Sequence, residues 1–309
     1  IPDENGHFDD VILGYDSVDS IQTQPGHPGE PVGRNANRIG GAKFTLNGVT
    51  YELAKNSAEV NNLHSGPDYY RDRIWDAEVE ETALGTTITF GLHSPDGDQG
   101  YPGNADITVS YTLTPDNCLK LDYHMVSDAD TIANFTNHVY FNLGGYKSGS
   151  ALDQKVWIDA DYFTATDANS IPTGELVAVK GTPMDFTEMK PIGRDIQEDY
   201  QALKYGNGYD HNWALNHPAG ELSLSAKAED EKTGRTMEVY TDLPGVQFYT
   251  ANSLKTERGK NHAVYTPRCG YCFETQYFPD AINKPEFASP VIKAGEEYKT
   301  TTIYKFGVK

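Results

Sequence analysis

The chain has 309 residues, 45 acidic against 25 basic, a formal charge of −20 and 38% hydrophobic residues. A surface this acidic lacks the clustered Lys and Arg that a phosphate backbone demands, which excludes nucleic acid as a partner, and no apolar run approaches the ~20 residues of a membrane-spanning helix. With 29 Gly, 17 Pro and 20 Tyr, the composition is that of a soluble, turn-rich protein.

The chain opens at Ile1 with neither a methionine nor a charged-then-apolar leader, so no signal peptide is read and residues upstream are expected. The strongest local signal is KFTLNGVTYEL at 43–53, where Asn47-Gly48 supplies both positive-φ positions of a type I′ turn between two alternating runs. From Trp75 to Val126 the period-two runs WDAEVEE, TTITFGL, DITVSYTLT and CLKLDYHMV follow one another as a meander. Further strands are predicted at FTNHVYFNL, KVWIDA, ELVAV, HNWAL, ELSLSAKA, RTMEVYTD, VQFYTAN, GYCFETQYF and EYKTTTIYKF, and a single amphipathic helix at 191–206, from the spacing of Ile192, Ile196, Tyr200 and Leu203. So many antiparallel-type strands with so little helix predict an all-β fold, a large antiparallel β-sandwich. Length alone suggests about two domains, but no repeat, linker or low-complexity tract divides residues 1–309, and one domain is expected.

Cys118, Cys269 and Cys272 cannot form an even-numbered disulfide framework, which points to a reducing, cytoplasmic setting. The Cys-Gly-Tyr-Cys at 269–272 has neither a second pair nor a following helix and reads as two ordinary thiols rather than a redox or zinc motif.

Two strands carry chemistry on one face. In FTNHVYFNL, Phe135, Asn137, Val139, Phe141 and Leu143 fall on one side, and Thr136, His138, Tyr140 and Asn142 on the other. In GYCFETQYF, Cys272, Glu274 and Gln276 share a face, opposite Tyr271, Phe273, Thr275 and Tyr277. A carboxylate among large aromatics has its pKa raised by desolvation, toward values useful to a general base. Asn37 and Arg38 in GRNANRIG, His64 in NNLHSG, Asp210 in GNGYDHNW and Gln247 in LPGVQFYTAN stand in glycine-marked turns that bring backbone close to a ligand. Singly, each reads as a capping or turn residue.

Together these blocks, in this order, with GRNANRIGGAKFTLNGVTYEL, YDHNW and ETQYFPDAINKPEFASPVIKAGEEYKTTTIYKF, resemble the aldose 1-epimerase (galactose mutarotase) family over essentially the whole chain. The resemblance implies a β-sandwich of the mutarotase type that interconverts the α and β anomers of free aldoses without metal or organic cofactor. It implies that His138 is the general acid and Glu274 the general base, that His64 is a second active-site histidine near the ring oxygen, and that Asn37, Arg38, Tyr140, Asp210 and Gln247 contact sugar hydroxyls. Tyr and Trp rings are expected to stack on the sugar, and the protein to act as monomer or homodimer. Ser65 stands where relatives commonly have glycine, Trp213 where they have another aromatic, and the family's N-terminal strands are expected to be lacking before Ile1. Three alternatives stay open at this point: a non-catalytic sugar binder on the same fold, a glycosidase pairing Glu274 with Asp210, and a hexose-6-phosphate epimerase, which requires extra cations.

Overall fold

The structure, a computed structural model, describes residues 1–309. The Asn47-Gly48 hairpin forms as read: Lys43–Leu46 pairs with Val49–Glu52, and the two turn residues sit at φ 52° and 79°. The meander forms too, with Asp76–Thr82, Gly85–Ser94, Ala105–Leu113 and Cys118–Ser127 paired in succession. These strands are one half of a nine-stranded antiparallel sheet that continues through Glu297–Val308, Arg235–Thr241, Ser223–Glu229 and Lys155–Ile158 to Lys190–Pro191. Its free edge, Asp76–Thr82, carries Asp76, Glu78, Glu80 and Glu81, charges that discourage pairing with another chain.

The second sheet has five strands in the order Pro172–Ala178, Tyr162–Thr166, Asp210–Ala214, Gly245–Tyr249, Cys272–Gln276. Alternation decides how it packs. Phe163, Trp213, Val246, Phe248 and Phe273 turn to the nine-stranded sheet and join Ile107, Val109, Leu121, Tyr123, Met125, Met237 and Val239 in one core cluster of 38 residues. Phe248 and Phe273 are direct cross-strand partners with rings stacked at 5.2 Å, and each such buried aromatic contributes roughly 1.5–3 kcal/mol. The opposite face of the small sheet is therefore free to be polar.

Three readings need correction. FTNHVYFNL is extended, but only Thr136–Asn137 lies in a ladder. Its backbone is bonded instead to separate segments, His138 N–H to Glu30 O, Phe141 to Tyr271, Asn142 N–H to Val11 O, so both of its faces are buried. The helix at 191–206 shrinks to a turn of 3₁₀ helix at Ile192–Arg194 and an α-helix at Gln201–Gly206. The Ile192 and Gly193 N–H groups donate to the carbonyls of Gln154 and Leu152, tying this end to the neighbouring segment, and Ile192, Ile196 and Leu203 are buried as their spacing required. A helix at Val18–Thr23, capped by Ser17, and the strand Tyr162–Thr166 were not anticipated. No helix is long and apolar enough to cross a membrane.

Candidate active site

Register alone assembles the floor of the site. Across the three adjacent strands Asp210–Ala214, Gly245–Tyr249 and Cys272–Gln276, direct partners form the rows Asp210, Tyr249, Cys272; then Asn212, Gln247, Glu274; then Ala214, Gly245, Gln276. Directly opposed residues share a face, so all of these side chains point away from the core. Gly245 is required by this crowding, since a Cβ there would lie 2.5 Å from Asn212 Oδ1.

His138 is brought over this floor from the other side. Its peptide is held at both ends by the loop at 29–30, Gly29 N–H donating to His138 O at 2.9 Å and His138 N–H to Glu30 O at 3.1 Å. The ring then sits with Nε2 3.6 Å from Glu274 Oε1 and Nδ1 3.5 Å from the sulfur of Cys272. A thiol both donates and accepts, so Cys272 can partner Nδ1 of His138 in either protonation state of the ring.

Asn37–Arg38 and His64 meet where two short strands, Arg38–Ile39 and Asn62–Leu63, pair antiparallel. Asn37 and His64 adopt φ of 60° and 53°, left-handed backbone that is uncommon outside glycine. Reciprocal bonds hold it: His64 N–H donates to Asn37 O at 2.8 Å, and Asn37 N–H to His64 Nδ1 at 3.1 Å. Ser65 Oγ ties the same turn down, accepting from Asn35 N–H at 3.0 Å and lying 3.0 Å from the Tyr101 hydroxyl.

A chain of amides with a fixed sense runs across the floor. Asp210 Oδ1 accepts from Gln247 Nε2 at 2.7 Å, and a carboxylate only accepts, so Gln247 must offer its NH₂ there and its oxygen elsewhere. That oxygen receives Gln276 Nε2 at 3.3 Å; Gln276 Oε1 receives Asn37 Nδ2 at 3.4 Å; Asn37 Oδ1 receives the Arg38 N–H at 2.9 Å.

These groups surround a cavity of about 270 Å³ lined by His64, His138, Glu274, Asp210, Arg38 and Tyr140, with Asn37, Gln247 and Tyr249 beside them. Every residue predicted for the site thus lies at one cavity. Tryptophan does not: Trp213 is fully buried in the core, its Nε1 donating to Met184 O, and the aromatic rings at the cavity are Tyr140 and Tyr249. Glu274 Oε2 and Arg38 Nε, both buried, have no hydrogen-bond partner in the protein, and buried polar atoms left so are rare.

Burial raises the Glu274 carboxyl well above its usual range, reinforced by the nearby Asp210 and opposed by Arg38. Burial likewise lowers His138, helped by His27, and lowers His64, helped by His27 and His138. Each charged form is penalised, so a single proton held by this pair rests on the Glu274 carboxyl rather than on the His138 imidazole. Ligand atoms of His64, His138 and Glu274 all lie within 4.8 Å of one another, a set that suggests a metal. The donor set does not fit one, because Asn37 N–H occupies Nδ1 of His64, which places the proton of the neutral ring on Nε2 and removes the lone pair a metal needs. What the cavity offers is a proton donor and acceptor close together, general acid–base chemistry.

Reading the sequence missed His27, Glu30 and Arg71. Glu30 Oε1 lies 2.6 Å from His27 Nδ1, Glu30 Oε2 lies 3.2 Å from Arg71 Nη1, and the His27 ring stands 5.2 Å from that of His64 and 5.4 Å from that of His138. No pattern in QPGHPGEPV marks His27 and Glu30: a histidine and a glutamate between prolines and glycines read as an exposed loop.

The family model described as aldose 1-epimerase matches residues 1–305. Among curated proteins, a galactose mutarotase of Bos taurus is 41% identical over 310 residues, covering 100% of this chain and 87% of the relative. An aldose 1-epimerase of Escherichia coli (strain K12) is 35% identical over 308 residues, covering 99% and 87%. Among solved structures, an aldose epimerase homologue from C. elegans superposes with a TM-score of 0.89 at 26% identity over 100% of this chain and 91% of the other. A galactose 1-epimerase from Lactobacillus acidophilus NCFM gives 0.85 at 26% identity over 97% and 86%.

Proposed function

We propose that this chain, which belongs to the aldose 1-epimerase family, interconverts the α and β anomers of free aldohexoses such as galactose and glucose by opening and reclosing the sugar ring. The observation that carries the reading is the pairing of His138 Nε2 with Glu274 Oε1, 3.6 Å apart on one cavity. About 270 Å³ is at the small end of ligand sites, roughly 300–1,000 Å³, which favours a monosaccharide over an oligosaccharide.

Ring opening needs two proton transfers and no nucleophile. In this reading the Glu274 carboxylate takes the proton from the C1 hydroxyl, the C1–O1 bond becomes a carbonyl as C1–O5 breaks, and His138 gives its proton to O5. Rotation about C1–C2 presents the other carbonyl face, and reversing the two transfers closes the opposite anomer. The pair carries one proton throughout: it begins on His138 and stands on Glu274 in the open-chain state. Burial that disfavours both charges therefore favours the proton distribution of the open-chain state, which is the high-energy species to be stabilised. Each positioned acid or base typically contributes about 10²–10⁴ in rate.

His64, its proton held on Nε2, donates near the ring oxygen. Arg38 and Asp210, pure donor and pure acceptor, bind hydroxyls beyond C1 with Asn37 and Gln247, and Tyr140 completes the wall. Arg71 is a second cation near the cavity, but its charge is met by Glu30 at 3.2 Å, which favours neutral sugars over sugar phosphates. Residues 1–309 act as one domain, supported by a core cluster that both sheets share. Three buried free thiols support a reducing, cytoplasmic setting.

Polarimetry tests the function: freshly dissolved α-galactose is expected to lose its excess rotation faster with protein than in buffer. An unchanged rate, with sugar binding retained, turns the assignment to a non-catalytic sugar binder.

A further inference from the structure

A third imidazole faces the cavity, and its orientation is not accidental. His27 lines the cavity with His64 and His138. Its Nδ1 lies 2.6 Å from Glu30 Oε1, a distance that requires Nδ1–H to donate, because the carboxylate only accepts. Glu30 is itself 6% exposed and is held by Arg71, whose Nη1 lies 3.2 Å from Glu30 Oε2 and donates to Gly26 O at 3.0 Å. Arg71 is braced in turn over the ring of Tyr69 at 4.9 Å, and Tyr69 and His64 pack edgewise on His27, each at 5.2 Å. Glu30, Arg71, Tyr69 and His64 thus surround one ring and fix its orientation.

With Nδ1–H donating to Glu30, the ring has only Nε2 left for the cavity, and that nitrogen is a lone pair whenever the ring is neutral. Glu30 also accepts the His138 N–H through its carbonyl, so the loop that orients His27 is the loop that holds His138.

We propose that His27 is a specificity-determining contact of this site, accepting through Nε2 a hydrogen bond from one sugar hydroxyl on the side flanked by His64 and His138, with Glu30 and Arg71 as its positioning residues. The inference rests on the site binding an aldose, as proposed above. It adds an acceptor on the histidine side of the cavity, where His64 offers a donor. A hydroxyl fills such a position, and a deoxy carbon leaves the lone pair without a partner.

The test compares galactose with its 2-, 3-, 4- and 6-deoxy analogues. By polarimetry the unmodified protein is expected to disfavour one analogue by about tenfold in kcat/KM. His27→Phe, which keeps the ring packing and removes Nε2, is expected to erase that one ratio and leave the other three; ratios unchanged in a folded His27→Phe protein overturn the proposal. Glu30→Gln, which still accepts from Nδ1, is expected to retain the ratio. A second measurement needs no variant: galactose is expected to shift the Nε2 nitrogen resonance of His27, and the analogue lacking the recognised hydroxyl to leave it in place. Equal shifts with every sugar, or none with any, overturn it. Absence of turnover in the unmodified protein fails the anomerase assignment, and the nitrogen titration then still decides His27.

Discussion

Nδ1 of His64 accepts the backbone N–H of Asn37 at 3.1 Å, while His64 returns its own N–H to the Asn37 carbonyl at 2.8 Å. A ring nitrogen that accepts from a peptide N–H cannot carry a proton, so this pair of bonds sets the tautomer. Protonating Nδ1 would break one bond and leave a charge in a buried place, which is why burial and the neighbouring imidazoles lower the pKa of His64. Proton–nitrogen correlation spectra near neutral pH are expected to give His64 as the singly protonated Nε2–H form. A proton on Nδ1 removes the donor assigned to it.

His138→Asn and Glu274→Gln each remove one proton-transfer group while keeping a polar side chain of similar size. Each is expected to lower kcat by about 10²–10⁴ with the unfolding midpoint little changed, because the Glu274 carboxyl already has an unpaired oxygen and gives up little native bonding. The double variant is expected to lose much less than the product of the two single losses, since the two proton transfers belong to one ring-opening step. Additive losses would mean that they serve separate steps.

What the sequence makes legible follows from how local each signal is. The hairpin at Asn47-Gly48 and the meander depend on turn chemistry and period two, and both formed. The faces of FTNHVYFNL and GYCFETQYF were readable for the same reason: extended backbone sends alternate side chains opposite ways even where no ladder forms, so Phe135, Val139 and Phe141 enter the core while His138 faces the cavity. The bonding of 135–143 was not readable, because its partners, Val11, Glu30 and Tyr271, are distant segments. His27, Glu30 and Arg71 were missed for a related reason: their meaning lies in contacts between loops. Trp213 shows the opposite error, an aromatic near a site motif whose strand parity turns it into the core.

The shared proton predicts the shape of the pH–rate profile. With ordinary values, about 4.3 for Glu and 6.5 for His, a pair holding one proton would exist only between those limits and activity would fall above pH 6.5. Burial raises the Glu274 carboxyl and lowers His138, which draws the two values together, so the form with Glu274 ionised and His138 protonated gives way to the form with the proton on Glu274. A plot of kcat/KM against pH is expected to depart from the narrow bell between about 4.3 and 6.5 that unperturbed groups would give. The limbs of the profile belong to the pair rather than to either residue. A narrow optimum near pH 5.5 would mean that neither group is perturbed.

Stability should carry the same imprint. His64, His138 and His211 are all buried with folded pKa values below the unfolded 6.5, His211 at about 4, chiefly by desolvation. A histidine of this kind binds its proton more readily in the unfolded chain, so its contribution is fully present above pH 6.5 and is lost as pH falls toward the folded value. Glu274 has the opposite sign: its folded pKa is raised, so its contribution is present below the ordinary 4.5 and erodes as pH rises through the folded value. Between pH 6.5 and the mid-fours the three histidines push one way and Glu274 the other, and the balance is a loss of stability on acidification. Urea unfolding at pH 7, 6 and 5 is expected to follow that fall. His211→Gln, which removes one titrating ring, is expected to reduce the slope by about 1.4 kcal/mol per pH unit. Unfolding free energies that stay level from pH 7 to 5 would mean that the three rings take up protons in the folded protein as readily as in the unfolded one.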